Sequence, residues 1–174
     1  MIYGMNAILV FTFIDPKAKM NIECYGGEMG MRNKELYWLS FFSDTVEDFP
    51  CFDIGIFKSR EEAEWVASRY LQEVPGFKDY DCDPSIMGIP VWDDANVNEE
   101  VYIFQGWNWN EYGDEIDCII SSCFVSRNEA ETHFTQVQQQ IPRQEWVLNR
   151  HIIGQCHWKE GFVREQIGGQ NEEN

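Results

Sequence analysis

Phe57-Lys58-Ser59-Arg60-Glu61-Glu62-Ala63-Glu64 returns 67 positions later as Phe124-Val125-Ser126-Arg127-Asn128-Glu129-Ala130-Glu131, with six of the eight residues unchanged. The correspondence extends both ways. Upstream, Leu36-Tyr37-Trp38 matches Val101-Tyr102-Ile103; downstream, Pro75 matches Pro142. Farther on, Ile86-Met87-Gly88 and Trp92 match Ile152-Ile153-Gly154 and Trp158. Self-similarity of this kind marks a duplicated supersecondary unit.

Each copy has a readable order. Leu36 to Phe42 and Cys51 to Phe57 are apolar and aromatic runs separated by a polar, turn-rich stretch, the pattern of a β-hairpin. Ser59 and Ser126 are placed to start helices, and each has a glutamate three residues on, Glu62 and Glu129. That is a capping box, in which the hydroxyl takes the N3 amide and the carboxylate returns to the cap amide. The best-matched residues are therefore explained by folding. The first helix repeats apolar residues at Ala63, Val66, Ala67, Tyr70, Leu71 and Val74, the spacing of one buried face. The second keeps Ala130, Phe134, Val137 and Ile141 but carries Gln138, Gln139 and Gln140, so it is expected to be more exposed. A strand follows each helix, near Ile86 to Val91 and Arg150 to His157, and a right-handed crossover would set it parallel to the strand before the helix.

The expected fold is α+β: two tandem β-β-α-β units forming mixed sheets with helices on one face, plus an N-terminal β-hairpin. Residues 1–35 match neither copy and hold that hairpin, over Ala7 to Asp15 and Met20 to Tyr25. Residues 36–97 form the first unit and 98–166 the second. Residues 167–174 are polar, contain Gly168-Gly169, and are expected to be a disordered tail.

Composition narrows the function classes. The 174 residues include 12 Phe, 7 Tyr and 7 Trp, enough to build a core. Acidic side chains outnumber basic ones 30 to 13, for a net charge of -17. The excess is concentrated: residues 36–100 hold 15 acids and 4 bases, whereas residues 1–35 are balanced. Such a surface repels phosphate backbones and anionic membranes, so neither nucleic acid nor membrane is expected as a partner. The apolar run from Ala7 to Ile14 has no basic segment before it and is too short to span a bilayer. Six cysteines in a core-rich chain without an export signal point to reduced thiols in the cytoplasm.

Ile54 to Ala63, Pro75 to Tyr80 (Pro-Gly-Phe-Lys-Asp-Tyr) and His157 to Phe162 (His-Trp-Lys-Glu-Gly-Phe) together resemble a family of small bacterial domains of unknown function. Members of that family typically run as a single copy. Here Pro-Gly-Phe stands in the first copy only and His-Trp-Lys-Glu-Gly-Phe in the second only. The resemblance implies the fold over roughly residues 36–162 and brings no activity with it. Because some such small acidic proteins are encoded beside bacterial toxins, it also leans toward an immunity role.

Motifs for chemistry are sparse. His133, His151 and His157 lack metal-ligand spacing with any cysteine, and adjacent Cys156 and His157 would point to opposite faces of a strand. No nucleophile elbow or phosphate-binding glycine loop is present. The expectation is a protein that is not an enzyme, with no catalytic residues, metal or cofactor. The hairpin tips are more informative, since both mix acids with aromatics: Asp44, Glu47 and Asp48 in the first copy, and Trp107, Trp109, Glu111, Tyr112, Asp114 and Glu115 in the second. Aromatics anchor interfaces and carboxylates steer a basic partner. These residues are the expected partner-binding set, although Trp107 and Trp109 can equally pack on a neighbouring sheet. The leading expectation is an acidic, immunity-type inhibitor of a basic toxin or nuclease. The alternatives are a phage-type DNA mimic and a small-molecule binding module or enzyme built around a cleft.

Overall fold

The structure is a computed structural model describing residues 8–12, 21–25, 34–43, 51–112 and 115–163. Asp44, Glu47, Asp48 and Asp114, and the tail from residue 167, lie outside the described residues. Strands β1 (Ile8–Thr12) and β2 (Asn21–Tyr25) pair antiparallel as the expected N-terminal hairpin. The first unit comprises β3 (Glu35–Phe42), β4 (Cys51–Phe57), α1 (Arg60–Glu73) and β5 (Asp83–Pro90). The second comprises β6 (Glu100–Trp109), β7 (Glu115–Ile120), α2 (Arg127–Gln140) and β8 (Glu145–Ile152). The chain is thus α+β, with two β-β-α-β units.

Each unit has a three-stranded sheet, in the orders β4-β3-β5 and β7-β6-β8. The strands flanking each helix run parallel to one another, as the crossover requires. The first strand of the unit lies between them, so every hydrogen-bonded pair is antiparallel and neither sheet is mixed.

Both sheets are covered on both faces, which explains the nearly unbroken apolar run of β3. Leu39 and Phe41 face α1 and share a core with Phe52, Ile54, Ala63, Val66 and Tyr70. Leu36 and Trp38 face the other way, onto Val101, Ile103, Cys118 and Ile120 of the second sheet. Phe104, on the far side of β6, packs with Ala130 and Val137 of α2. The layers run helix, sheet, sheet, helix. As its glutamines suggest, α2 buries only Ala130 and Val137, where α1 buries Ala63, Val66, Ala67 and Tyr70.

Ser59 and Ser126 are the helix N-caps, their hydroxyls accepting the amides of Glu62 (3.1 Å) and Glu129 (3.4 Å). The return bond differs from the expected box: the Glu62 carboxylate accepts the Lys58 amide at 3.2 Å, one residue before the cap.

The third strands correct the sequence alignment. The connection after α1 spans residues 74–82 and that after α2 only 141–144, so the second strand begins five residues early relative to the first. Gly88 stands opposite Tyr37, and Arg150 stands opposite Tyr102. Ile152-Ile153-Gly154 is therefore not the structural counterpart of Ile86-Met87-Gly88. It ends β8 and begins a segment that leaves the second unit.

That segment, residues 153–162, crosses to the first unit. The amides of Gly154 and His157 donate to the carbonyls of Ile56 and Ile54, both at 2.8 Å, and cover the open edge of β4. The Tyr70 hydroxyl donates to the His157 carbonyl. Phe162 then stacks on Phe52 with centroids 4.6 Å apart, and sets its edge against Phe77 at 5.0 Å. A shorter segment crosses in the opposite direction. Val91 pairs with Cys123, the Trp92 amide donates to the Cys123 carbonyl at 2.8 Å, and the Trp92 ring lies on Phe124 and His133 beneath α2. Each unit's core is completed by a strap from the other.

Candidate binding surface

The tip of the β6–β7 hairpin is fastened to the loop between α2 and β8. The Gln144 amide donates to the Trp107 carbonyl (3.1 Å) and to Asn108 Oδ1 (3.3 Å), and Gln144 Oε1 accepts the Trp109 amide at 2.6 Å. Asn108 Nδ2 donates to Asp117 Oδ1, which also lies 3.4 Å from the Arg143 guanidinium. The Tyr112 amide donates to Asn110 Oδ1 at 2.9 Å, a local turn that presents the Tyr112 side chain 81% exposed. Glu111 beside it is exposed. Glu115 opens β7 opposite Trp109. Trp107 is half-buried against the core between the sheets, and Trp109 is half-buried at the strand end. Of the expected set, then, Glu111 and Tyr112 face solvent together, while Trp107 serves the core.

A second exposed aromatic went unread in the sequence. Trp65 on α1 is 60% exposed, with the Arg69 guanidinium 5.2 Å above its ring and Arg69 itself bonded to Glu73 at 2.6 Å. Glu61 and Glu64 are exposed on the same helix. The signal was available: Trp65 falls outside the buried helical face, where a tryptophan gains nothing from the core. The equivalent position in α2 is Thr132.

The copies also diverge around Asp53. Its Oδ1 accepts the Trp38 indole N–H at 3.1 Å and the Ser40 hydroxyl at 2.9 Å. In the second unit the matching strand position is Ile120, buried in the core between the sheets. Solvent reaches one flank of Asp53. Even so, the protein crowded around its carboxylate raises its pKa, opposed by the Ser40 and Trp38 hydrogen bonds and the charge of His157.

His151 packs on Trp38 with centroids 5.3 Å apart, and its Nε2 is buried with no hydrogen-bond partner among the described residues. Desolvation first, and the nearby His157 second, lower its pKa to about 4. The folded protein therefore holds His151 neutral while the unfolded chain takes up a proton below about pH 6.5. The stability this provides is complete above pH 6.5 and is lost as pH falls toward 4, by up to about 3 kcal/mol. Asp53, with a raised pKa, acts in the opposite sense, favouring the folded state as pH falls. His151→Phe is expected to flatten the decline between pH 6.5 and 4 in urea midpoints. An imidazole that titrates near 6.5 by NMR would contradict this placement.

Among the described residues, no group of three or more His, Cys, Asp or Glu side chains is placed to hold a metal ion. The five described cysteines are free thiols, and no described helix is long and apolar enough to cross a membrane. No family model, curated protein or solved structure matches the chain.

Proposed function

We propose that this chain is a non-catalytic binding protein that docks on a basic protein partner. The observation that carries the reading is the exposure of Trp65 and Tyr112, at 60% and 81%, where the other described aromatics are mostly buried or half-buried. Tyrosine and tryptophan anchors exposed among carboxylates combine the two features of a steered interface, since the rings supply contact area and the acids draw in a cationic surface. The net charge of -17 supports fast, salt-sensitive association. The finer form of the proposal is an immunity-type protein that covers the basic groove of a bacterial toxin. A DNA mimic is less favoured, because Arg60, Arg69 and Arg127 interrupt the acids along the exposed helix faces.

Immobilised protein exposed to a lysate of its own host should retain a basic protein at low salt and release it at about 0.5 M salt. Trp65→Ala with Tyr112→Ala should weaken retention at least about tenfold. Binding indifferent to both salt and the double substitution would refute the proposal.

A further inference from the structure

Strands β4, β5, β7 and β8 form the edges of the two three-stranded sheets, and the first three of them are closed. The strap covers β4, its Gly154 and His157 amides taking the Ile56 and Ile54 carbonyls. The β1–β2 hairpin lies along β7. β5 is closed by its own prolines. The Val91 amide donates to the Lys34 carbonyl, so the alternation of an antiparallel ladder turns the backbone groups of Pro84, Ile86, Gly88 and Pro90 away from β3. Pro84 and Pro90 have no N–H for an incoming strand, and the Pro90 carbonyl already accepts the Cys123 amide. Proteins blunt sheet edges in such ways because unpaired backbone recruits another strand.

β8 has no such protection among the described residues. It pairs with β6 on one side and with no strand on the other. The Ile153 amide donates to the Glu99 carbonyl, and the same alternation turns the backbone of Trp146, Leu148 and Arg150 outward, where no described residue meets their N–H or C=O groups. The strand has no proline, and its sequence, Glu145-Trp146-Val147-Leu148-Asn149-Arg150-His151-Ile152, complements itself when reversed about Leu148. Glu145 then stands opposite His151, Trp146 opposite Arg150, and Leu148 opposite its own copy, with no like charges facing. Arg150 is already balanced by Glu100 at 2.6 Å.

We infer that β8 is the edge through which two copies of this chain pair, antiparallel about Leu148, so that their second-unit sheets become one continuous sheet. About six backbone hydrogen bonds hold the joint, with the Arg150 guanidinium of each copy against the Trp146 ring of the other. A single strand pair buries less than a standard interface of about 1,600 Å², so the dimer is weak, with a dissociation constant on the order of 10–100 µM. Each copy carries a charge of -17, so added salt strengthens this pairing, the opposite of its effect on a basic partner. The joint uses neither Trp65 nor Tyr112 and stands or falls apart from the docking proposal.

Sedimentation velocity of the full chain from about 5 to about 500 µM should show monomer passing to dimer, at lower concentration in about 0.5 M salt than in about 0.05 M. Over the same range, hydrogen exchange at the amides of Trp146, Leu148 and Arg150 should slow at least about tenfold, while those of Val147 and Asn149, which point to β6, stay constant. Arg150→Pro removes an outward N–H, as Pro84 and Pro90 do, and leaves the ladder to β6 intact. Arg150→Glu sets a carboxylate against the second copy's Trp146 ring. Each should weaken dimerisation at least about tenfold, with near-UV circular dichroism showing the fold intact. A chain still monomeric at about 500 µM would overturn the inference and leave the edge to a strand of another protein. Full protection of the three amides at the lowest concentration, a dimer that leaves them unprotected, or a dimer undiminished by Arg150→Glu would overturn it as well.

Discussion

Replacing Gly161 with alanine is expected to destabilise the protein by about 3–5 kcal/mol. Gly161 has φ +77, and a Cβ there would stand 2.1 Å from the Pro75 carbonyl oxygen, a backbone atom that cannot rotate away. The left-handed conformation alone costs an L-residue about 1–2 kcal/mol. Relieving the clash would break the bond from the Phe162 amide to that carbonyl and lift Phe162 from Phe52, Phe77 and Tyr80. The facing Gly76, at φ +85, would place a Cβ 2.6 Å from Phe162. Gly76→Ala and Gly161→Ala should therefore cost less together than the sum of the two alone, because both undo one docking event. Urea unfolding reads the effect. Val163→Ala, at a side chain 87% exposed, should change stability by less than about 0.5 kcal/mol. A cost below about 1 kcal/mol for Gly161→Ala would mean that the strap contributes little to the core.

Trp92→Ala should cost about as much, 3–5 kcal/mol, but in the other unit. Trp92 follows β5 of the first unit and is only 7% exposed, buried against Phe124 at 5.2 Å and His133 at 4.4 Å. Its removal leaves a large void under α2, which already buries few side chains of its own. Hydrogen exchange should show the amides of α2 losing protection before those of α1. The reverse order would exclude a reciprocal exchange of straps.

Pro75-Gly76-Phe77 and the segment from His157 to Phe162 are far apart in sequence, yet they close one core. The match of Trp92 with Trp158 was also meaningful in an unexpected way. The two residues lie beyond the ends of β5 and β8 at different distances, but each contacts the other unit's aromatic core, Trp92 through Phe124 and Trp158 through Phe52, both at 5.2 Å. Asp53 and Trp65 were hidden for different reasons. Asp53 reads as a polar residue in an apolar strand until the register against β3 sets it beside Ser40 and Trp38. Trp65 reads as one more aromatic until the helix face it occupies is followed through.

What the sequence determined alone is the local structure: the serine caps, the two helices, the paired hairpins and their repetition. These depend on residues a few positions apart, where hydrogen-bond reach and apolar periodicity leave a recognisable pattern. Tertiary structure alone decided the third-strand register, the face-to-face meeting of the sheets, the exchange of straps and which sheet edges they cover. Those outcomes turn on which apolar surfaces cover one another and on loop lengths that differ by five residues between the copies. Contacts between residues so distant in sequence leave no periodic trace in the chain; only the packed core selects them.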